Sequence, residues 1–180
     1  MLVVLVWLGI TSNLRKTKLM TIEAGQNIPS AQFQIKSDEG IDAFSTDDYF
    51  KDSRVVMFVV PGAFTPTCSA RHLPGYLEHA DALKQAGIDK IACLSINDVH
   101  VMHAWGEANK TEGIIDMMAD MDGSFSRALG IEVNMGPILG KRATRCAIIA
   151  DNGQVTHVLM EEPGEFSVSS AENVLATLGV

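Results

Sequence analysis

The chain has 180 residues, 47% of them hydrophobic and 20% charged, with a formal net charge of −8. That length supports one domain with a sizeable core, and the acidic balance excludes the basic face that nucleic-acid phosphates require. The three cysteines, Cys68, Cys93 and Cys146, are odd in number and far apart, which argues against a secreted disulfide framework and for a reducing compartment, here the cytoplasm.

Residues 1–19 stand apart. MLVVLVWLGI is apolar, and TSNLRKTKL is basic with no acidic residue. The apolar run is too short for a bilayer, which takes about 20 residues. A secretory signal carries its positive charge before the apolar core, not after it. Residues 1–19 therefore read as an N-terminal extension outside the fold. A targeting or anchoring peptide and a helix docked on the domain are the alternatives. The domain is expected over residues 20–180.

Along that domain, AQFQI and residues 41–45 predict two short strands around the turn at Asp38 to Gly40. RVVMFVV is an almost unbroken apolar run ended by Pro61-Gly62, the pattern of a strand buried on both faces. A helix follows. Thr65 suits its cap and Pro66 its first position, where a missing N–H costs nothing. Leu73, Tyr76, Leu77, Ala80 and Leu83 recur at helical spacing, and Gly87 ends the run. IACLSI predicts a second buried strand, and Asp98 caps a helix running through Trp105. GIIDMMAD holds a third strand, and Ser124 to Leu129 a short helix. RCAIIADNGQVTHVLM predicts a hairpin around Asp151-Asn152-Gly153, and Ser170 to Leu178 a closing helix. Buried strands alternating with helices imply an α/β fold with a central mixed sheet flanked by helices.

Cys68 falls in the opening turn of the first long helix. Backbone N–H groups there are unpaired and the helix dipole is positive. Such placement lowers a thiol pKa from about 8.5 towards roughly 3.5–7.5 and populates the reactive thiolate. The loop also leaves the carboxyl end of a buried strand, where α/β sheets place their sites. Pro74 removes a helical bond to Ala70 and clashes with that turn, so the segment carrying Cys68 is expected to be kinked from the helix body and able to fray.

PGAFTPTCSARHLPGY, with Pro61, Thr65 and Cys68 in the spacing Pro-x-x-x-Thr-x-x-Cys, resembles the active-site segment of peroxiredoxins. Its fuller wording is similar to that of the type V, redoxin-like subfamily. ACLSINDVHVMHAWGEA, MADMDGSF and RCAIIADNGQV extend the resemblance over nearly the whole chain from Met20. The resemblance implies a thioredoxin-like fold and a thiol peroxidase acting on hydrogen peroxide and organic hydroperoxides. It makes Cys68 the peroxidatic cysteine and Thr65 its supporting hydroxyl. Pro61 becomes the shield of the thiolate pocket and Arg145 the site arginine. Arg142 competes with Arg145 in the run GKRATR. The family requires no metal or organic cofactor, and it suggests a homodimer. A thioredoxin-like redox-sensing or binding module without turnover is the alternative function.

Many type V members carry a resolving cysteine before the last helix, but here that segment, EEPGEFSVSSAENVL, has none. Cys93 reads as core. If Arg145 faces the site, strand alternation turns Cys146 away. Regeneration of Cys68 is therefore expected from an external thiol, with glutathione or glutaredoxin leading and thioredoxin second. His72 pairs with Cys68 at metal-ligand spacing and His100 pairs with His103, but no cluster in the sequence supplies the three or four ligands of a zinc site. A hydrogen bond near the site or at an interface is the expected role for His72. Met117, Met118 and Met121 are read as core and dimer packing.

Overall fold

A computed structural model describes residues 20–180. The extension read over residues 1–19 lies outside the described residues. The chain enters a hairpin of β1 (Gln32–Ser37) and β2 (Gly40–Ser45) and turns into a short helix α1 (Thr46–Phe50). Sequence patterning did not predict α1, although Ser45 caps it by accepting from the Asp48 N–H. The buried strand β3 (Arg54–Val59) follows. After the loop at Pro61 come a π-helical turn over Cys68–His72, then α2 (Leu73–Glu78) and α3 (Ala80–Gln85). Next are β4 (Lys90–Ser95), α4 (Val99–Asn109), β5 (Asp116–Ala119) and α5 (Ser124–Ala128). A small ribbon of β6 (Glu132–Asn134) and β7 (Lys141–Ala143) encloses α6 (Gly136–Leu139). The hairpin of β8 (Cys146–Asp151) and β9 (Gln154–Met160) leads to α7 (Ala171–Leu178).

Seven strands form one sheet in the order β2-β1-β5-β4-β3-β8-β9. β3, β4 and β5 are parallel, and the hairpins at both edges add antiparallel strands. The sheet is mixed, as the α/β pattern implies. The β8–β9 turn uses Asn152 and Gly153, both at positive φ, the conformation that two-residue hairpins need for strand twist.

Alternation along β3 creates two cores. Val56, Phe58 and Val60 face α2, α3, α4 and α7, while Val55, Met57 and Val59 face α1 and α5. Met117 and Met118 of β5 divide between the same two cores, whereas Met121 is exposed. Helix α4 is fixed at its start by Asp98, whose carboxylate accepts from the His100 and Val101 N–H groups.

The long helix expected from Pro66 to Gly87 is divided. Leu73 N–H bonds back to the Cys68 carbonyl, one residue further than in an α-helix. Pro74 has no N–H to offer, and widening the turn relieves its clash with the preceding carbonyl. A second break falls at His79, where φ is −100° and ψ is 9°.

Trp105 of α4 is fully buried, and its indole Nε1–H donates to Ser69 Oγ at 3.1 Å. One side chain thus ties the helix layer to the residue next to Cys68. Trp105→Ala is expected to cost about 3–5 kcal/mol, and Trp105→Phe, which keeps most of the packing, roughly 1–2 kcal/mol. Urea denaturation of the two variants measures both.

Candidate active site

The site is built where β3 runs out. Val60 still donates its N–H to Leu94, and the chain then turns through Pro61 to Thr65. Asn97 holds the loop by accepting the Ala63 N–H at 3.0 Å. Phe64 sits at φ 57° with more than half its surface exposed. That left-handed conformation is unfavourable for a bulky residue and marks the loop as constrained by its surroundings. Thr65 stands at the cap position, and its carbonyl accepts the Ser69 N–H. Its hydroxyl is used differently from the capping expected. It donates to the Gly62 carbonyl at 2.8 Å, which leaves its lone pairs free.

Cys68 is fully buried at the head of the π-helical turn. The structure brings Arg145 to it across the sheet, with Nη2 donating to Sγ at 3.5 Å. Arg142, the competing arginine, goes elsewhere. Its Nε donates to Leu139 and its Nη1 to the Pro61 carbonyl, so it braces the loop and not the thiol. Pro61 thereby stands between the end of β3 and Arg142.

The orientation of Arg145 depends on His72. Arginine Nη1 lies 2.9 Å from His72 Nδ1, and His72 Nε2 lies 3.0 Å from the Ser169 carbonyl. Arginine only donates and a carbonyl only accepts. The imidazole must therefore be neutral, with its proton on Nε2 and a lone pair on Nδ1. Burial first, and Arg145 second, push the His72 pKa down to about 3, against the opposing pull of the Ser169 carbonyl.

The segment before α7 forms the wall behind this pair. Ser169 O accepts from Tyr76 as well as from His72. Glu161 accepts the N–H groups of Ser167 and Ser169 and the Ser169 hydroxyl at 2.7–2.8 Å. Burial raises the Glu161 pKa, but these donors and Arg145 outweigh it and hold the carboxyl below its usual range. Phe166 lies under Arg71 and Arg145, with ring centroid distances of 4.7 and 5.7 Å. In sequence this segment stands out only for lacking a cysteine. His72 was expected near the site; Glu161, Phe166 and Ser169 carried no recognisable signal.

The other cysteines separate by face. Cys93 shares the core of Cys68, while Cys146, next to Arg145 in sequence, packs in the opposite core. Burial, with Cys68 second, raises the Cys93 thiol far above its ordinary range. Burial and Glu161 push Cys146 up to about 12. Both remain thiols at neutral pH.

The buried neutral His72 has a consequence for stability. Unfolded, it takes up a proton near pH 6.5; folded, only near pH 3. Its contribution to stability is therefore intact above about pH 6.5 and is lost progressively as the pH falls towards 3, by up to about 1.4 kcal/mol per pH unit. Denaturation curves between pH 7 and 4 should fall less steeply for His72→Gln than for the parent protein.

Comparison with known proteins gives this geometry its family. A family model described as Redoxin matches residues 23–175. Peroxiredoxin-2D of Arabidopsis thaliana is 45% identical over 126 residues, spanning 69% of this chain and 78% of that protein. Peroxiredoxin-2C of Oryza sativa subsp. japonica is 37% identical over 159 residues, spanning 87% and 98%. The crystal structure of reduced Prx3 from Vibrio vulnificus in complex with hydrogen peroxide superposes with a TM-score of 0.85 at 47% identity, covering 88% of this chain and 99% of that one. The chain belongs to the redoxin family: it is a thioredoxin-like peroxiredoxin, a thiol peroxidase.

Proposed function

We propose that Cys68 is the peroxidatic nucleophile of a type V peroxiredoxin that is regenerated by an external thiol. The observation that carries this reading is the guanidinium of Arg145 donating to Cys68 Sγ while His72 holds its other nitrogen. The Cys68 thiolate attacks one peroxide oxygen. The S–O bond forms as the O–O bond breaks, sulfur is oxidised to sulfenic acid, and the departing oxygen takes a proton and leaves as water or alcohol. Charge passes from sulfur to the departing oxygen, and Arg145 is placed to stabilise it at both ends. The free lone pairs of Thr65 suit it to accept a hydrogen bond from a hydroperoxide, and Pro61 shields the pocket rim. Hydrogen peroxide and organic hydroperoxides are the substrates.

An incoming thiol then attacks the sulfenic sulfur, water leaves, and a second thiol reduces the resulting mixed disulfide. Glutathione, alone or through glutaredoxin, is the leading reductant and thioredoxin the second. The placement of Cys146 in the opposite core and the burial of Cys93 support an external thiol. Cys68 is itself buried, so this step requires the π-helical turn to open, which Pro74 favours by leaving the turn short of one hydrogen bond. Residence in the reducing cytoplasm suits three free cysteines. A homodimer belongs to this reading, supported by the exposed apolar side chains of Phe64, Ile138 and Leu139.

Peroxide consumption with glutathione and glutaredoxin should vanish in Cys68→Ser and persist in Cys93→Ser and Cys146→Ser. Loss of turnover in Cys146→Ser alone, with Cys68 still oxidised, would overturn the external-thiol reading. Arg145→Ala should lower the rate constant for peroxide by about 10²–10³-fold. With excess peroxide and no thiol, intact mass should show Cys68 advancing to sulfinic acid. Accumulation of an internal disulfide contradicts that expectation. Glutathione added after one equivalent of peroxide should leave a mixed disulfide on Cys68.

A further inference from the structure

On the far side of α4 from Trp105, three side chains converge at the mouth of a cavity of about 550 Å³ between the β1–β2 hairpin and the end of α4. They are Asp38 at the hairpin tip and His103 and Glu107, one turn apart on α4. His103 is largely covered, with 16% of its side chain exposed. Its Nδ1 lies 3.0 Å from the Lys36 backbone carbonyl. A carbonyl can only accept, so Nδ1 carries a proton and the free position is Nε2. Nε2 faces Glu107 Oε2 at 3.5 Å and Asp38 Oδ1 at 3.9 Å.

Two carboxylate oxygens and an imidazole lone pair repel one another unless a positive charge stands among them. Among the described residues, no lysine or arginine pairs with Asp38 or Glu107. One donor atom from each residue lies within 4.8 Å of the other two. Ligands at about 2.0–2.2 Å around a tetrahedral zinc ion stand about 3.4 Å apart, so only a small closure of the exposed carboxylates is needed. A ligating imidazole also ordinarily donates its other N–H to a carbonyl or carboxylate, which fixes the ring, and the Lys36 carbonyl does so here. Imidazole with carboxylates suits a first-row divalent ion such as Zn²⁺ and leaves a fourth position for water.

We propose that Asp38, His103 and Glu107 form a surface binding site for a divalent transition-metal ion, clamping the β1–β2 hairpin to α4. The site is separate from Cys68 and takes no part in the peroxide reaction. Its occupancy would fasten the hairpin to the helix that carries Trp105, the side chain bonded to Ser69.

The test is calorimetric titration of Zn²⁺ into the untagged full chain carrying Cys68→Ser, which removes the exposed-on-opening thiol as a competitor. One equivalent should bind. His103→Asn should abolish binding, and Glu107→Gln should weaken it tenfold or more. His100→Asn, on the same helix but outside the cluster, should change nothing. Nitrogen-15 NMR of the imidazoles should show the His103 Nε2 signal moving on saturation. No binding at millimolar Zn²⁺, or binding that survives His103→Asn, would refute the site. The first of those results would mean that a proton on Nε2 supplies the positive charge.

Discussion

The site depends on one shared guanidinium. Arg145 divides its two terminal nitrogens between Cys68 Sγ and His72 Nδ1. It can do so only while His72 is neutral, because an imidazolium has no lone pair to offer and would repel the arginine. Burial keeps it neutral, and the Ser169 carbonyl decides which nitrogen holds the proton. Glu161 in turn holds Ser169 by its N–H and hydroxyl. The geometry at the sulfur is thus set from the loop before α7, by groups that never touch it.

The sheet supplies the other constraint. Strand side chains alternate, so Arg145 on the Cys68 side requires Cys146 on the other. The segregation into two cores follows. It leaves Cys68 buried in the wall of one core with no thiolate beside it, since burial keeps Cys93 and Cys146 protonated. The π-helical turn is where that wall departs from regular helix geometry. Pro74 withdraws one N–H from the turn that carries Cys68, and the chain answers by widening it.

Much of the architecture was legible in residue pattern. RVVMFVV, IACLSI and the Asp151-Asn152-Gly153 hairpin read directly as buried strands and a turn, because long apolar runs and positive-φ turn residues leave few alternatives. α1 escaped notice because five residues carry too little periodicity. The ribbon of β6 and β7 escaped for the same reason. The broken helix was half legible: Pro74 announced a disturbance, but a proline alone does not decide between a kink and a widened turn. Cys68, Thr65, Pro61 and Arg145 came from a motif, and the structure puts Arg145, not Arg142, at the thiol. The Ser169 carbonyl reaches His72 from 97 positions away, Phe166 offers an aromatic face to Arg71 and Arg145, and Glu161 acts through Ser169; no local pattern encodes that.

The state of His72 is the most direct measure of this account. Nitrogen-15 NMR of the reduced protein at neutral pH should show a neutral ring with a protonated Nε2 and a bare Nδ1. A protonated imidazolium, or a proton on Nδ1, would mean that Arg145 is not held against Cys68 in the way described, and the account of the site would fail.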